Sequence, residues 1–276
     1  MAPVQVNMKA KAQILAWSPQ QLETRAFTLF ELLVVIAVIA LLAALLLPAL
    51  SRAKLRAQSA TCQNHLRQIG LSLAMYVADH HRYPPMWGDD AGPFQTWSDR
   101  LYPYAPLNWT NRSWHCPAYT AKDGVIKVVN KRGDVTVFTS YSYNAYGISG
   151  LGGLPSPKLG LGIWFPASLA AEPEVRIPSE MFTVADSRTY RDGLIWGAGV
   201  VNGLHGCNAM LPYFAPKEET PALHGEGYNV LFADGHVVQV KRNVLLFPPR
   251  SAHNWNRDNQ PHPEMWAPRN EWAVQN

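Results

Sequence analysis

The chain has 276 residues, 47% of them hydrophobic and 16% charged, which is room for one globular domain with a segment outside it. Its formal net charge of +4 is scattered, with no block of like charges, which argues against a surface built for nucleic acid. Three cysteines, Cys62, Cys116 and Cys207, permit at most one internal disulfide and leave a thiol over, which excludes a disulfide-stapled scaffold but not an oxidising compartment.

Residues 1–26 carry Lys9, Lys11 and Arg25 against Glu23, a positive flank that predicts a cytoplasmic amino terminus. This stretch reads as a leader and stays out of fold reasoning. Residues 27–50, FTLFELLVVIAVIALLAALLLPAL, hold one charge, Glu31. A helix of about 24 residues rising ~1.5 Å each crosses the ~30 Å core of a bilayer, so this is a membrane span. A secretory signal has an apolar region of about 7–15 residues before a small-x-small site. This run is longer, and Ala49-Leu50-Ser51 is a poor site. A plain anchor leaves Glu31 unexplained, because a carboxylate within an apolar span is costly and calls for a partner. Cleavage after Ala26 would set the new amine of Phe27 four residues from Glu31, where the two charges could neutralise each other within a chain or between neighbours.

Arg25-Ala26, then Phe27-Thr28-Leu29-Phe30-Glu31 and a hydrophobic helix, resembles the prepilin class III signal of type IV pilins and type II secretion pseudopilins. The resemblance implies that a prepilin peptidase cuts between Ala26 and Phe27 and methylates the new amine, and that Glu31 guides subunit docking. It departs from the family at Ala26, where Gly is usual. Implied partners are the peptidase, other pilin or pseudopilin subunits, an inner-membrane assembly platform and the lipid bilayer. The implied location is a single pass through the inner (cytoplasmic) membrane, with the carboxyl-terminal domain periplasmic or, in an assembled fibre, at the cell surface.

Residues 51–82 continue the helix in amphipathic form. Leu55, Cys62, Leu66, Ile69, Leu73 and Tyr76 fall on one stripe, while Arg52, Lys54, Arg56, Gln63 and Arg67 lie mostly elsewhere. The stripe reads as core packing, with Cys62 a buried small hydrophobe. Pro48 predicts a kink or local loosening, and Tyr83-Pro84-Pro85 a stop. An apolar half followed by an amphipathic half is again similar to the pilin spine.

The remainder, 83–276, reads as a globular domain. Residues 86–122 are rich in aromatics and proline, with a short helix expected near Thr96–Leu101. Trp114-His115-Cys116-Pro117 carries metal or thiol donors but no second ligand pair at finger-like spacing, so a packed Cys before a turn is expected. From Gly124 the period becomes two, predicting a hairpin of two β-branched runs, 125–130 and 135–143, around Arg132-Gly133-Asp134. Turn chemistry explains that tripeptide better than integrin binding does. The glycine-rich residues 147–162 lack a phosphate-loop ending and read as surface loop. Met181–Ala185 reads as a strand stopping at Asp186-Ser187.

Tyr228–Ala233 and His236–Lys241 read as a hairpin closed by Asp234-Gly235. Nine residues separate His224 from Asp234-Gly235. This His-x9-Asp-Gly pattern, joined to a prepilin start, is similar to a family of bacterial pseudopilin-like proteins with that signature near the carboxyl terminus. The resemblance covers 25–85 and 224–236 and assigns His224, Asp234 and Gly235 no chemistry. A His capping a turn and an Asp within one account for the same residues. Among His205, His224, His236, Asp186, Asp234 and Glu226 no nucleophile–base pair or converging ligand set is visible from spacing, so no catalytic residue and no enzyme is expected. No cofactor is expected beyond calcium, which Asp186, Asp192 or Asp234 in carbonyl-rich loops would suit. After Val244 the chain, with Trp255, Trp266 and Trp272, lacks an apolar period and predicts an irregular, extended cover.

The expected fold is α+β, a long amino-terminal helix packed on an antiparallel sheet, pilin-like. The expected function is structural: a pilus or pseudopilus subunit, in type II secretion or a related envelope system, assembled through that helix. One alternative is a membrane-anchored minor pilin-like module whose tryptophans hold glycan or DNA. Another is an anchored hydrolase using His224 and Asp234.

Overall fold

The computed structural model describes residues 27–86, 96–105, 114–119, 126–130, 133–137, 140–148, 159–162, 169–186, 200–202, 207–209, 223–225, 227–245 and 248–265; for 126–130, 133–137, 200–202, 207–209 and Pro248 it describes backbone alone. The leader with Ala26, and Asp192, His205, Glu226, Trp266 and Trp272, lie outside the described residues.

Helix α1 runs Leu29–His80, within two residues of the end expected before Tyr83. Pro48 sits inside it, and the helix passes through unbroken. Thr28-Leu29-Phe30-Glu31 forms a capping box: Glu31 N–H donates to Thr28 Oγ1 at 3.2 Å, and Glu31 Oε2 accepts Thr28 N–H at 2.9 Å. The chain divides into two compact units, Met1–Ala49 and Leu50–Asn276. In the first, every described side chain from Phe27 to Ala49 is exposed except Ala43, which is half-buried. This part of α1 is long and apolar enough to cross a membrane.

In the second unit α1 buries Ser59, Cys62, Leu66, Ile69, Leu73, Tyr76 and Val77. The core stripe therefore starts one turn later than its period suggests, since Leu55 is exposed. Helix α2, Trp97–Leu101, forms where a short helix is expected and starts at Thr96, whose side chain and that of Asp99 cap each other's backbone.

Strands β1 (Ile126–Asn130) and β2 (Gly133–Val137) form a separate hairpin. The expected second run is divided, because Tyr141–Tyr143 leaves as β3 to join the main sheet. The main sheet also contains β4 (Phe182–Asp186), β5 (Val200–Asn202), β6 (Cys207–Ala209), β7 (Gly227–Phe232) and β8 (Val237–Lys241), in the order β5-β6-β3-β4-β7-β8. Its neighbours pair antiparallel except β3 with β6, where Tyr143 faces Ala209 in parallel. The long connection between those two strands makes the parallel pairing feasible.

Both faces of β3, β4 and β7 are buried. On β7, Leu231 packs into the cluster with Leu66, Ile69 and Leu73 of α1, whereas Tyr228, Val230 and Phe232 pack into a second cluster with Trp255. A register shift between Phe182 and Val184 sends Phe182 to the second cluster and Val184 to the first. The second cluster corrects the irregular cover expected after Val244. Helices α3 (Arg242–Leu245) and α4 (Pro248–Trp255) supply Leu245, Ala252 and Trp255 as a second layer. Trp255 is fully buried, edge-on to Phe182 with centroids 5.7 Å apart, and its Nε1 donates to the Leu245 carbonyl. Beside the buried Ser251, the described part of this short helix buries one apolar pair, Ala252 and Trp255, so no repeating apolar period could announce it.

Candidate functional site

Two places carry chemistry. The first is the start of α1, where Phe27 and Glu31 are exposed and Glu31 is tied to Thr28 through both the backbone and the hydroxyl, each at 2.9 Å.

The second lies between α1 and the sheet. Cys62 comes from α1 and is fully buried. Cys116 comes from residues 114–119, where its carbonyl closes a turn with Tyr119 N–H and its own N–H donates to Ser140 Oγ at 2.9 Å. Asp186 is the last residue of β4, opposite Tyr141 of β3. His224 precedes β7, held by Gln239 Nε2 donating to its carbonyl at 3.0 Å; Gly225, with φ of +74°, turns the chain between them.

These side chains converge on one point. Cys116 Sγ lies 3.1 Å from His224 Nε2, Asp186 Oδ2 lies 3.2 Å from the same nitrogen, and Cys62 Sγ lies 3.5 Å from that Oδ2. The two sulfurs and the imidazole nitrogen all fall within 4.8 Å of one another, and both thiols are free. Around them, Asn229 Nδ2 donates to Asp186 Oδ2 at 2.9 Å, and Ser59 and Gln63 of α1 donate to Asn229 Oδ1. Tyr141 OH meets Cys62 Sγ at 3.3 Å and His65 Nδ1 at 3.0 Å.

The electrostatics follow from this crowding. Burial, the Cys116 contact and the Asp186 charge push the Cys62 thiol well up. Burial also raises Cys116, but hydrogen bonds from Cys62 and His224 outweigh it and bring that thiol down to about 7. Burial lowers His224, yet Asp186 and Cys116 overcome that and raise it to about 9. A thiol pulled down and an imidazole pushed up therefore share one buried compartment with Asp186.

The His-x9-Asp-Gly residues do not meet. His224 is at the entry of β7, while Asp234 and Gly235 turn between β7 and β8, with Asp234 N–H donating to the Pro178 carbonyl and Gly235 at φ +91°. The nine intervening residues contain the strand itself. Asp234 accepts both the backbone N–H and Nδ1 of His236, the turn role foreseen for it. His224 does not cap a turn; its ring goes to Cys116 and Asp186. The hydrolase pairing of His224 with Asp234 is accordingly absent. Of the residues considered for calcium, Asp186 ends β4, Asp234 lies in the turn between β7 and β8, and Asp192 lies outside the described residues. Among the described tryptophans, Trp97 and Trp255 are buried in the two cores and Trp114 is half-buried beside His65.

A family model described as SBP_bac_10, Protein of unknown function (DUF1559), matches residues 52–120. That span is similar to a pilin-like family and takes in the second half of α1, α2, Cys62 and Cys116. No curated protein and no solved structure matches the chain.

Proposed function

We propose that this protein is a structural, non-enzymatic subunit of a pilus or pseudopilus, cut between Ala26 and Phe27 and assembled through α1. The observation that carries the reading is the first unit of α1. An apolar helix with its side chains uncovered is stable in water only against lipid or other helices, and its lone charge stands at the end where a new amine would appear. The pilin-like family match over 52–120 supports it. In this reading the peptidase, the bilayer and neighbouring subunits are its partners, and the soluble unit faces outward.

The capping box supplies a discriminating variant. Gln at the third helical position caps as Glu does but carries no charge. Glu31→Gln therefore keeps the helix start and removes only the partner for a Phe27 amine. The expected outcome is a native-length mature chain, lighter by residues 1–26 and heavier by one methyl, that in Glu31→Gln form is left out of fibres. Equal incorporation of Glu31→Gln would reduce Glu31 to a cap, and an unprocessed amino terminus in the native strain would sink the assembly reading.

A further inference from the structure

We propose that Cys62, Cys116, His224 and Asp186 form a tetrahedral zinc(II) site that fastens the spine helix to the sheet. The argument starts from shape. Zinc bonds of ~2.3 Å to sulfur and ~2.0–2.1 Å to nitrogen or oxygen at tetrahedral angles give ligand–ligand edges of about 3.3–3.8 Å. The observed edges are 3.1 Å from Cys116 Sγ to His224 Nε2, 3.2 Å from that nitrogen to Asp186 Oδ2, and 3.5 Å from Asp186 Oδ2 to Cys62 Sγ. These are three of the six edges: the two sulfurs and the imidazole nitrogen lie within 4.8 Å of one another, and Asp186 joins them through His224 and Cys62.

Proton bookkeeping points the same way. His224 Nε2 bears at most one hydrogen but faces both a sulfur and a carboxylate oxygen, while its Nδ1 and Asp186 Oδ1 are buried with no hydrogen-bond partner among the described residues. A nucleophilic triad places the thiol on one ring nitrogen and the carboxylate on the other, as a relay. Here both crowd one nitrogen, which is how ligands gather about an ion. The thiols are also at most 1% exposed, which denies a substrate access. Two thiolates, an imidazole and a carboxylate are the donors of a borderline-soft ion, and four protein ligands in a closed pocket mark a structural site rather than a catalytic one.

The surroundings resemble an outer shell. Asn229 fixes Asp186 and is itself fixed by Ser59 and Gln63 of α1, and Tyr141 OH supports Cys62 Sγ. The four ligands come from α1, the 114–119 segment, β4 and the approach to β7, so one ion would cross-link parts of the chain that have no covalent tie.

The test uses the full chain in detergent, reduced, stripped with chelator, freed of chelator and then given excess zinc. Zinc is expected to remain at one equivalent after gel filtration, and cobalt(II) in its place to show a thiolate-to-cobalt charge-transfer band with the intense visible bands of tetrahedral geometry. Cys62→Ser, Cys116→Ser and His224→Gln should each abolish stoichiometric retention, and Asn229→Ala should weaken it at least tenfold. Should the ligand variants fail to fold, X-ray absorption on the native zinc protein decides, with two sulfur and two nitrogen or oxygen neighbours expected. Failure to retain zinc, a cobalt spectrum without the thiolate band, a first shell lacking two sulfurs, or a Cys62–Cys116 disulfide in chain isolated without reductant would each overturn the proposal.

Discussion

Asn229 of β7 donates its Nδ2 to Asp186 Oδ2 of β4 at 2.9 Å, and the same side chain takes Ser59 Oγ of α1 at 3.1 Å on its own oxygen. One amide thus joins two strands to the helix in a fully buried position. Asn229→Leu, with the same branching and number of side-chain heavy atoms, takes one hydrogen bond from a buried carboxylate and one from a buried hydroxyl and should cost roughly 2–4 kcal/mol. Urea unfolding of the metal-free chain checks this, and an unchanged midpoint refutes the bridging role.

The thiol–imidazole pair predicts a stability window in pH. His224 is raised from its ordinary 6.5 to about 9, so its contribution is full below about 6.5 and lost as pH climbs through about 9. Cys116 is lowered from 9.0 to about 7, so its contribution is full above about 9 and lost as pH falls through about 7. The two overlap between about 7 and 9. Thermal unfolding of reduced, chelator-treated protein should show the midpoint dropping on both sides, with Cys116→Ser flattening the acid limb and His224→Gln the alkaline one. A profile identical in all three proteins would count against the pair.

Trp255 anchors the second layer against Phe182 and the Leu245 carbonyl. Trp255→Ala should destabilise by about 3–5 kcal/mol through the cavity it leaves. A loss below about 1 kcal/mol in equilibrium denaturation would mean that α4 is a passive cover.

Gly70 of α1 packs closely on β7; a Cβ there would stand 2.8 Å from Leu231 Cδ1. Leu231 ends in movable methyls, so Gly70→Ala pits that clash against a helix-propensity gain of about 1 kcal/mol and should be near neutral. Gly70→Val adds branches the interface cannot take and should cost about 1–3 kcal/mol. Comparing the two midpoints measures how tightly the helix is seated, and equal midpoints would show slack.

How much of this could be read from the chain depends on range. The stripe through Leu66, Ile69 and Leu73 is a local period, and those residues are the core of α1. The β7–β8 hairpin is likewise written in Asp234-Gly235. The buried cluster is not local: Cys116 and His224 are 108 positions apart, and Cys62 and Asp186 are 124. Spacing rules detect ligand pairs on one turn or knuckle, so each donor reads alone as a packed thiol, a strand end or a turn. Only the ladder that sets Asp186 beside Asn229, under α1, makes them neighbours. The capping box at Thr28 and Glu31 is written locally as Thr-x-x-Glu, so the acid at the head of the apolar run also has a structural role at the helix start.

Strand β7 answers to two different interiors with alternate residues, oil behind Tyr228, Val230 and Phe232 and polar company before Asn229. Sliding it by a single residue would plunge the amide into grease and swing phenyl rings onto the sulfurs, so misthreading is self-punishing. Any cation lodged between Cys62 and Asp186 would consequently act as a proofreader, since only the properly aligned ladder offers it a seat.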